Sequence, residues 1–197
     1  MTNTTVETDL ISGVWPVRGN RTLAELFQRE IEFLGPPNWT KEEDDLARAV
    51  QAKAKVPIEG LKRTIDVLKG PAVQKPAAND AGDISWKVPM VKFYFPGSIP
   101  HVNFHHWAAG VPLATSIAHK GALAGAKVMA ACIVECLKNP AIVAEAKRTF
   151  KEELAGVEYR PLLPRHQKPP VDLNRAMMDK YRPLMREHYV KVKPVFA

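Results

Sequence analysis

The sequence contains little cysteine and no segment that marks export. Its 197 residues include two cysteines, Cys132 and Cys136, which are too few for the disulfide framework of a small secreted protein. The N-terminus has neither a basic start nor an apolar core, so no secretory signal is visible. The most apolar stretch, residues 117–137, is interrupted by charged side chains, and no membrane span is expected. We therefore expect a cytoplasmic protein with a buried core.

Several motifs that would identify a reaction are also missing. Gly121, Gly125 and Lys127 lack the spacing of a phosphate-binding loop. The sequence has no dinucleotide-binding glycine pattern, no nucleophile elbow and no His-Glu-x-x-His pair. Function must therefore be inferred from weaker patterns.

The net charge of +7 is unevenly distributed. Residues 138–197 contain 13 Lys and Arg against 7 Asp and Glu, a balance of +6. The cations alternate with acids and prolines, without the patterns typical of nucleic-acid-binding modules. We interpret this tail as a solvated face or as an extension over a partner subunit. Nucleic-acid binding is the weaker alternative, and it predicts affinity that falls steeply with salt.

Apolar spacing predicts both strands and helices. Alternation over residues 4–10 and 88–95 is typical of half-buried strands. Residues 71–82 are predicted to form a linker or a site loop, with a domain boundary near 75–80. Helical spacing and capping signals predict helices at Thr22–Leu34, Thr40–Lys53, Ile58–Leu68, 117–137, Asn139 to near Gly156, and 173–182, where Pro183 limits the last. The mixture predicts an α/β fold, a sheet with packed helices.

Four of the six histidines lie close together in the sequence. They are His101, His105, His106 and His119. Because imidazole is a common metal ligand and a catalytic zinc needs about three protein ligands, this segment could supply one or two. Asp80 or Asp83 could supply another, whereas the alternative is that these histidines are surface or hydrogen-bonded residues.

Two further groups have simple structural interpretations. Cys132 and Cys136 share a helix face and could join His119 at a metal, but two buried small apolar residues are the favoured interpretation. Trp86 and Trp107 could line a pocket, although core packing is the simpler account.

Four stretches in order resemble a known enzyme family. They are Asn20-Arg-Thr-Leu-Ala-Glu-Leu26 with Gly35-Pro-Pro37, Asp80-Ala-Gly-Asp-Ile-Ser-Trp86 with Pro89, His105-His-Trp107, and Ser116-Ile-Ala-His-Lys-Gly121. Together they resemble amidohydrolases of the aminobenzoyl-glutamate hydrolase kind. These belong to the dizinc aminoacylase/carboxypeptidase class, peptidase family M twenty.

The resemblance implies that the chain corresponds to the later part of such an enzyme. Residues 1–37 would be the end of a ferredoxin-like lid or dimerisation domain, a strand plus a helix. Residues 38–75 would be a helical insertion. Residues 76–197 would be the C-terminal part of the zinc-peptidase-like catalytic α/β domain, with a basic extension.

The resemblance also implies a divalent metal, zinc in the family, with one ligand from this chain. His105 matches the family's late metal ligand, and His106 and His119 are its competitors. Asp83 would bind substrate from a loop facing the site. The family's general-base glutamate has no counterpart here, so no catalytic residue is assigned.

We therefore expect a C-terminal fragment or split subunit of a metal-dependent amidohydrolase that cleaves the amide of a small N-acyl or aminoacyl substrate. It should be inactive alone and completed by an N-terminal half or partner subunit, with homo-oligomerisation expected. The alternative is a non-catalytic interaction module that retains part of the hydrolase fold, because unpaired sheet edges would demand a partner.

Overall fold

The computed structural model of the chain describes residues 4–70 and 79–189. Within these ranges the chain forms a 3₁₀ helix, Trp107–Ala114, and six α-helices. The α-helices are α1 (Arg21–Leu34), α2 (Lys41–Ala54), α3 (Asp80–Ser85), α4 (Ser116–Lys138), α5 (Pro140–Leu154) and α6 (Arg175–Arg186).

The chain divides into two compact units, Val14–Arg160 and Met1–Gly13 with Pro161–Ala197. The domain boundaries implied by the resemblance stay a prediction, and residue 75 lies outside the described residues. Most of the predicted linker, residues 71–82, also lies outside them, while its last residues begin α3.

The predicted α/β fold is wrong for the described residues. They are 52% helical, and neither predicted strand forms. Residues 88–95 run without strand pairing: Val91 and Phe93 are partly buried while Lys92 and Tyr94 are exposed. Alternation therefore predicted the side-chain environment, but a strand also needs a neighbour to share its backbone hydrogen bonds.

The predicted strand at residues 4–10 is also wrong. Its side chains are exposed on both of the predicted faces, with Val6 88% exposed. The register of a strand is specified where one of its faces is buried, and no face of this segment is buried. The strand of the lid-like unit and the helix-covered sheet are thus absent from the described residues. The predicted helix of that unit forms as α1, and it packs on α4 and α5.

α1 begins at a different cap from the one predicted. Asn20, rather than Thr22, is the N-cap, and its Oδ1 accepts a hydrogen bond from the Leu23 N–H at 3.1 Å. Asn20 is 2% exposed, and its Nδ2 donates to the Ala146 carbonyl and to Thr149 Oγ1, each at 3.0 Å. One amide side chain thus caps α1 and ties it to α5.

The helix predicted over Ile58–Leu68 does not form. Side chains of α2 bind the backbone of this segment and hold it as a loop. Gln51 Oε1 accepts a hydrogen bond from the Gly60 N–H at 2.9 Å, and Asp44 Oδ1 accepts one from the Leu61 N–H at 2.8 Å. Gly60 has φ +78°, a left-handed conformation that glycine adopts without steric cost. Competition from the polar side chains of Gln51 and Asp44 therefore overrides the apolar spacing.

α4 has one buried seam and a long exposed apolar face. The seam consists of Ile117, Gly121, Gly125, Val128 and Cys132. A Cβ on Gly121 would lie 2.6 Å from the Gly97 Cα, so only glycine allows this approach. The opposite face, called here the apolar stripe of α4, is exposed and consists of Ala122, Leu123, Ala126, Met129, Ala130, Ile133, Val134 and Leu137.

Within the described ranges, α4 is also the one helix long and apolar enough to cross a membrane by length and composition. Core helices of proteins without membrane spans meet the same test. α4 packs on α1, α5 and the 3₁₀ helix along its seam.

Two apolar clusters flank α4. The first joins α2, the following loop and the start of α4 through Trp39, Val50, Leu61, Ile99 and Ile117. The second joins α1 to the middle of α4 through Leu26, Phe27, Val128 and Cys132, with Val91 and Phe93 packed against it. The prediction of a buried apolar role is confirmed for Cys132, whereas Cys136 is only partly buried and packs against the cluster.

A buried carboxylate joins α2 to α4. The predicted capping box of Thr40 and Glu43 forms as expected. The Glu43 carboxylate also accepts hydrogen bonds from Ser116 Oγ at 2.5 Å and from Lys120 Nζ at 2.8 Å. Burial alone would raise the pKa of Glu43, but the hydrogen bonds from Lys120, Ser116 and the Thr40 N–H outweigh it and lower the pKa to about 2.

We expect this carboxylate to make stability depend on acid pH. Because the pKa of Glu43 in the folded state lies below its unfolded value, the unfolded chain binds more protons between about pH 4.5 and pH 2. The stabilisation by Glu43 is therefore complete above this window and is lost as the pH falls through it. Urea unfolding of Glu43→Gln should show a free energy of unfolding lower by about 1–3 kcal/mol at neutral pH and a flatter decline in acid.

The matched control is Glu32→Gln, the same change on an exposed face of α1. It should leave both the neutral stability and the acid slope close to those of the parent chain. Equal acid slopes for Glu43→Gln and the parent would contradict this account of Glu43.

Candidate functional site

The stretch Asp80–Trp86, one of the four that carry the resemblance, contributes Trp86 to a pair of packed tryptophans. The Trp86 indole N–H donates to the Pro16 carbonyl at 2.8 Å, and the rings of Trp15 and Trp86 lie 4.5 Å apart. A Cβ on Gly82 would lie 1.7 Å from the Trp15 carbonyl oxygen, so any other residue would force the two segments apart. Core packing of Trp86 is thus confirmed.

Asp83 lies on α3 rather than on the predicted loop. Its Oδ1 accepts a hydrogen bond from the Tyr159 hydroxyl at 3.0 Å. The Tyr159 ring also contacts Trp15, at 5.9 Å between centroids, and lies 4.6 Å from Lys87 Nζ. The hydrogen bond to Asp83 raises the pKa of Tyr159, with smaller contributions from burial and the Asp83 charge. A substrate-binding role for Asp83 stays a prediction, and its carboxylate already has one partner.

The structure separates His105 from His106 by their hydrogen bonds. His106 is the N-cap of the 3₁₀ helix, and its Nδ1 accepts from the Ala108 N–H at 3.2 Å. The adjacent His105 is exposed in a turn where its backbone N–H donates to Asn103 Oδ1 at 2.9 Å. Capping occupies one ring nitrogen of His106, whereas no described residue engages the ring of His105, which remains available for a ligand.

The other two histidines of the segment have different surroundings. His101 Nε2 lies 2.8 Å from Glu59 Oε2, and its backbone has φ +65°. His119 lies in the first turns of α4, three residues before Ala122, where the apolar stripe begins. Its backbone N–H bonds the Thr115 carbonyl, as expected within a helix.

No complete metal site is built from the described residues. They contain no group of three or more His, Cys, Asp and Glu side chains placed to hold a metal ion. The alternative that Cys132, Cys136 and His119 share a metal is therefore wrong. Burial also raises the pKa of Cys132 to about 11, which disfavours the thiolate that a metal requires. Each of the described histidines could therefore supply at most a single metal ligand. The described residues do not by themselves fit the expected metal centre.

The final stretch of the resemblance has a role that the sequence did not suggest. Ser116 and Lys120, on either side of His119, bind Glu43, and Lys120 also donates to the Asn38 carbonyl at 3.0 Å. Gly121 of the same stretch lies close to the backbone of Gly97. Most residues of this stretch therefore serve to pack α4 against its neighbours. A capping box at Thr40 marked Glu43 in the sequence, but only the folded chain brings Lys120 to it.

A cavity of about 390 Å³ lies beside the second apolar cluster. Its lining is mostly aliphatic and aromatic and includes Phe27, Ile65, Phe93, Phe95 and Val128. Neither Trp86 nor Trp107 lines it, and Trp107 is exposed. The alternative that these tryptophans line a pocket is not seen at this cavity, and core packing, the favoured account, is wrong for Trp107, whose side chain is 65% exposed.

The hydrogen bond between Asp83 and Tyr159 gives a residue-specific prediction. Because Asp83 raises the pKa of the Tyr159 hydroxyl, Asp83→Asn should lower the pH at which this tyrosine ionises. Tyrosine labelled with carbon-13 at Cζ reports each ionisation by nuclear magnetic resonance. The signal of Tyr94, which is exposed, is the internal control and should not respond. An unchanged Tyr159 titration in Asp83→Asn would show that the hydrogen bond does not persist in solution.

Comparison with known proteins adds a distant relationship. No protein-family profile matches the chain, and no solved structure matches it. Among curated proteins it is similar to a subunit of the p-aminobenzoyl-glutamate hydrolase of Escherichia coli (strain K12), with 27% identity over 194 residues covering 86% of this chain. The chain spans about 40% of the length of this relative. The resemblance seen in the four stretches is thus confirmed, and the chain is a distant relative of part of a hydrolase subunit.

Proposed function

We propose that this chain is the C-terminal part, or a split subunit, of a metal-dependent amidohydrolase. The substrate is a small N-acyl or aminoacyl compound whose amide bond is cleaved, and the chain does not catalyse the reaction alone. The observation that carries the proposal is the similarity to a hydrolase subunit over 86% of this chain but 40% of the relative. The larger part of the relative therefore has no counterpart here.

The surface of α4 supports a requirement for a completing polypeptide. The apolar stripe of α4 runs along the helix opposite its buried seam, and Leu137 at its end is 76% exposed. An apolar surface of this length is typical of a protein interface. We propose that it packs against the part of the enzyme that the relative possesses and this chain lacks, supplied by the same polypeptide or by a partner subunit.

The histidines support a contribution of one ligand. Within the proposed enzyme, His105 donates one imidazole to a divalent metal, zinc in the family that the chain resembles, and the completing part supplies the remaining ligands. His105 is preferred to His106 because capping of the 3₁₀ helix occupies Nδ1 of His106, whereas neither ring nitrogen of His105 has a partner among the described residues. Asp83 remains the proposed substrate-binding residue, held in place by Tyr159.

The test isolates the native assembly through a tag on this chain and measures its mass, its bound metal and its hydrolysis of p-aminobenzoyl-glutamate and N-acetyl amino acids. We expect an assembly larger than 21.9 kDa that contains metal and hydrolyses at least one amide, whereas the isolated chain is inactive. His105→Ala should lower both metal content and turnover about a hundredfold, in line with removal of a ligand.

His101→Ala is the matched control, because Glu59 already engages its ring. It should leave metal content and turnover within about twofold of the parent assembly. An assembly that forms but contains no metal and cleaves none of these amides would overturn the hydrolase proposal and favour the non-catalytic interaction module. If His119→Ala, and not His105→Ala, removes the metal, the ligand assignment is wrong while the hydrolase proposal stands.

A further inference from the structure

α6 carries its apolar side chains on one face, and none of its residues is buried. At about 100° per residue these side chains fall within an arc of about 120°. The apolar arc of α6 consists of Met177, Met178, Tyr181, Leu184 and Met185. Met177 and Leu184 are each 58% exposed. The arc has the geometry of a helix that buries one face. Four of its five side chains are nevertheless exposed, and Met178 is only partly buried.

Cationic side chains border this arc. α6 contains four cations, Arg175, Lys180, Arg182 and Arg186, against one acid, Asp179, a balance of +3. Lys180 and Arg182 flank the arc on opposite sides, each about 100° from its centre. Their long apolar stems can follow an apolar surface while their charges reach outward.

The helix is also poorly suited to stand alone in water. It has 12 residues, with no side-chain hydrogen bond at its N-cap and with Pro183 inside it. The sequence predicted an end at Pro183, but the helix continues to Arg186. Short helices are marginal without packing, and an internal proline removes a further hydrogen bond. An external surface would supply the missing stabilisation.

We propose that α6 is a docking element for an anionic lipid surface. Its apolar arc enters the boundary between headgroups and acyl chains, while Lys180 and Arg182 contact lipid phosphates. A planar anionic surface can bind the cations on both sides of the arc at once, and a short helix with a wide apolar face and cationic flanks suits such an interface. The inference does not depend on the hydrolase proposal, and it concerns binding at a membrane surface, whereas the sequence-based expectation was that no segment spans a membrane.

The test is flotation of the full chain with vesicles of phosphatidylcholine and phosphatidylglycerol, about three to one, and with vesicles of phosphatidylcholine alone. We expect binding to the anionic vesicles that exceeds binding to the neutral ones about tenfold. This binding should weaken as salt rises from about 0.05 M to about 0.5 M, because salt screens the attraction. Leu184→Glu should reduce it about tenfold, and Arg182→Gln about fivefold.

The control is Leu123→Glu, which places the same change on the apolar stripe of α4, and it should leave vesicle binding unchanged. Three results would overturn the proposal: no binding to anionic vesicles, equal binding to both vesicle types, or equal losses for Leu123→Glu and Leu184→Glu. Equal losses for the two variants would mean that α6 is not the specific membrane-binding element. Absence of binding to anionic vesicles would favour an acidic protein surface as the partner of the apolar arc of α6.

Discussion

The close approach of α4 to residues 95–97 is the constraint on which the larger compact unit depends. Gly121 and Gly125 leave space on the helix for the backbone at Gly97 and the ring of Phe95. With α4 seated this closely, its neighbouring seam residues reach both apolar clusters, Ile117 in one and Val128 in the other. The Glu43 carboxylate then fixes α2 against the first turns of the same helix.

The helices were the predictable part of this fold because their signals are local. The capping box of Thr40 and Glu43, the Asn139-Pro140 start of α5 and the whole of α4 follow from residues a few positions apart. The strands were not predictable from the same kind of signal. Alternation at Val91 and Phe93 describes which side chains face the core, but strand pairing depends on a neighbour that the pattern does not contain.

Long-range polar contacts explain the other differences. Asn20 displaced Thr22 as the cap of α1 because Ala146 and Thr149, far along the chain, bind its amide. Gln51 and Asp44 removed a predicted helix by binding the backbone of residues 59–61. At the candidate site, sequence similarity could indicate His105 and Asp83, but only the folded chain showed that His106 caps a helix and that Tyr159 binds Asp83.

The uncovered apolar stripe of α4 bears on how much of this protein a cell can maintain. Exposed apolar helices are features that chaperones and proteases recognise on incompletely assembled chains. A chain whose stripe stays uncovered is therefore open to aggregation and degradation, whereas one whose stripe is covered is protected. The steady-state abundance of the chain would then follow the supply of the polypeptide that packs on the apolar stripe. Degradation of unassembled chains would keep the amounts of the two in proportion.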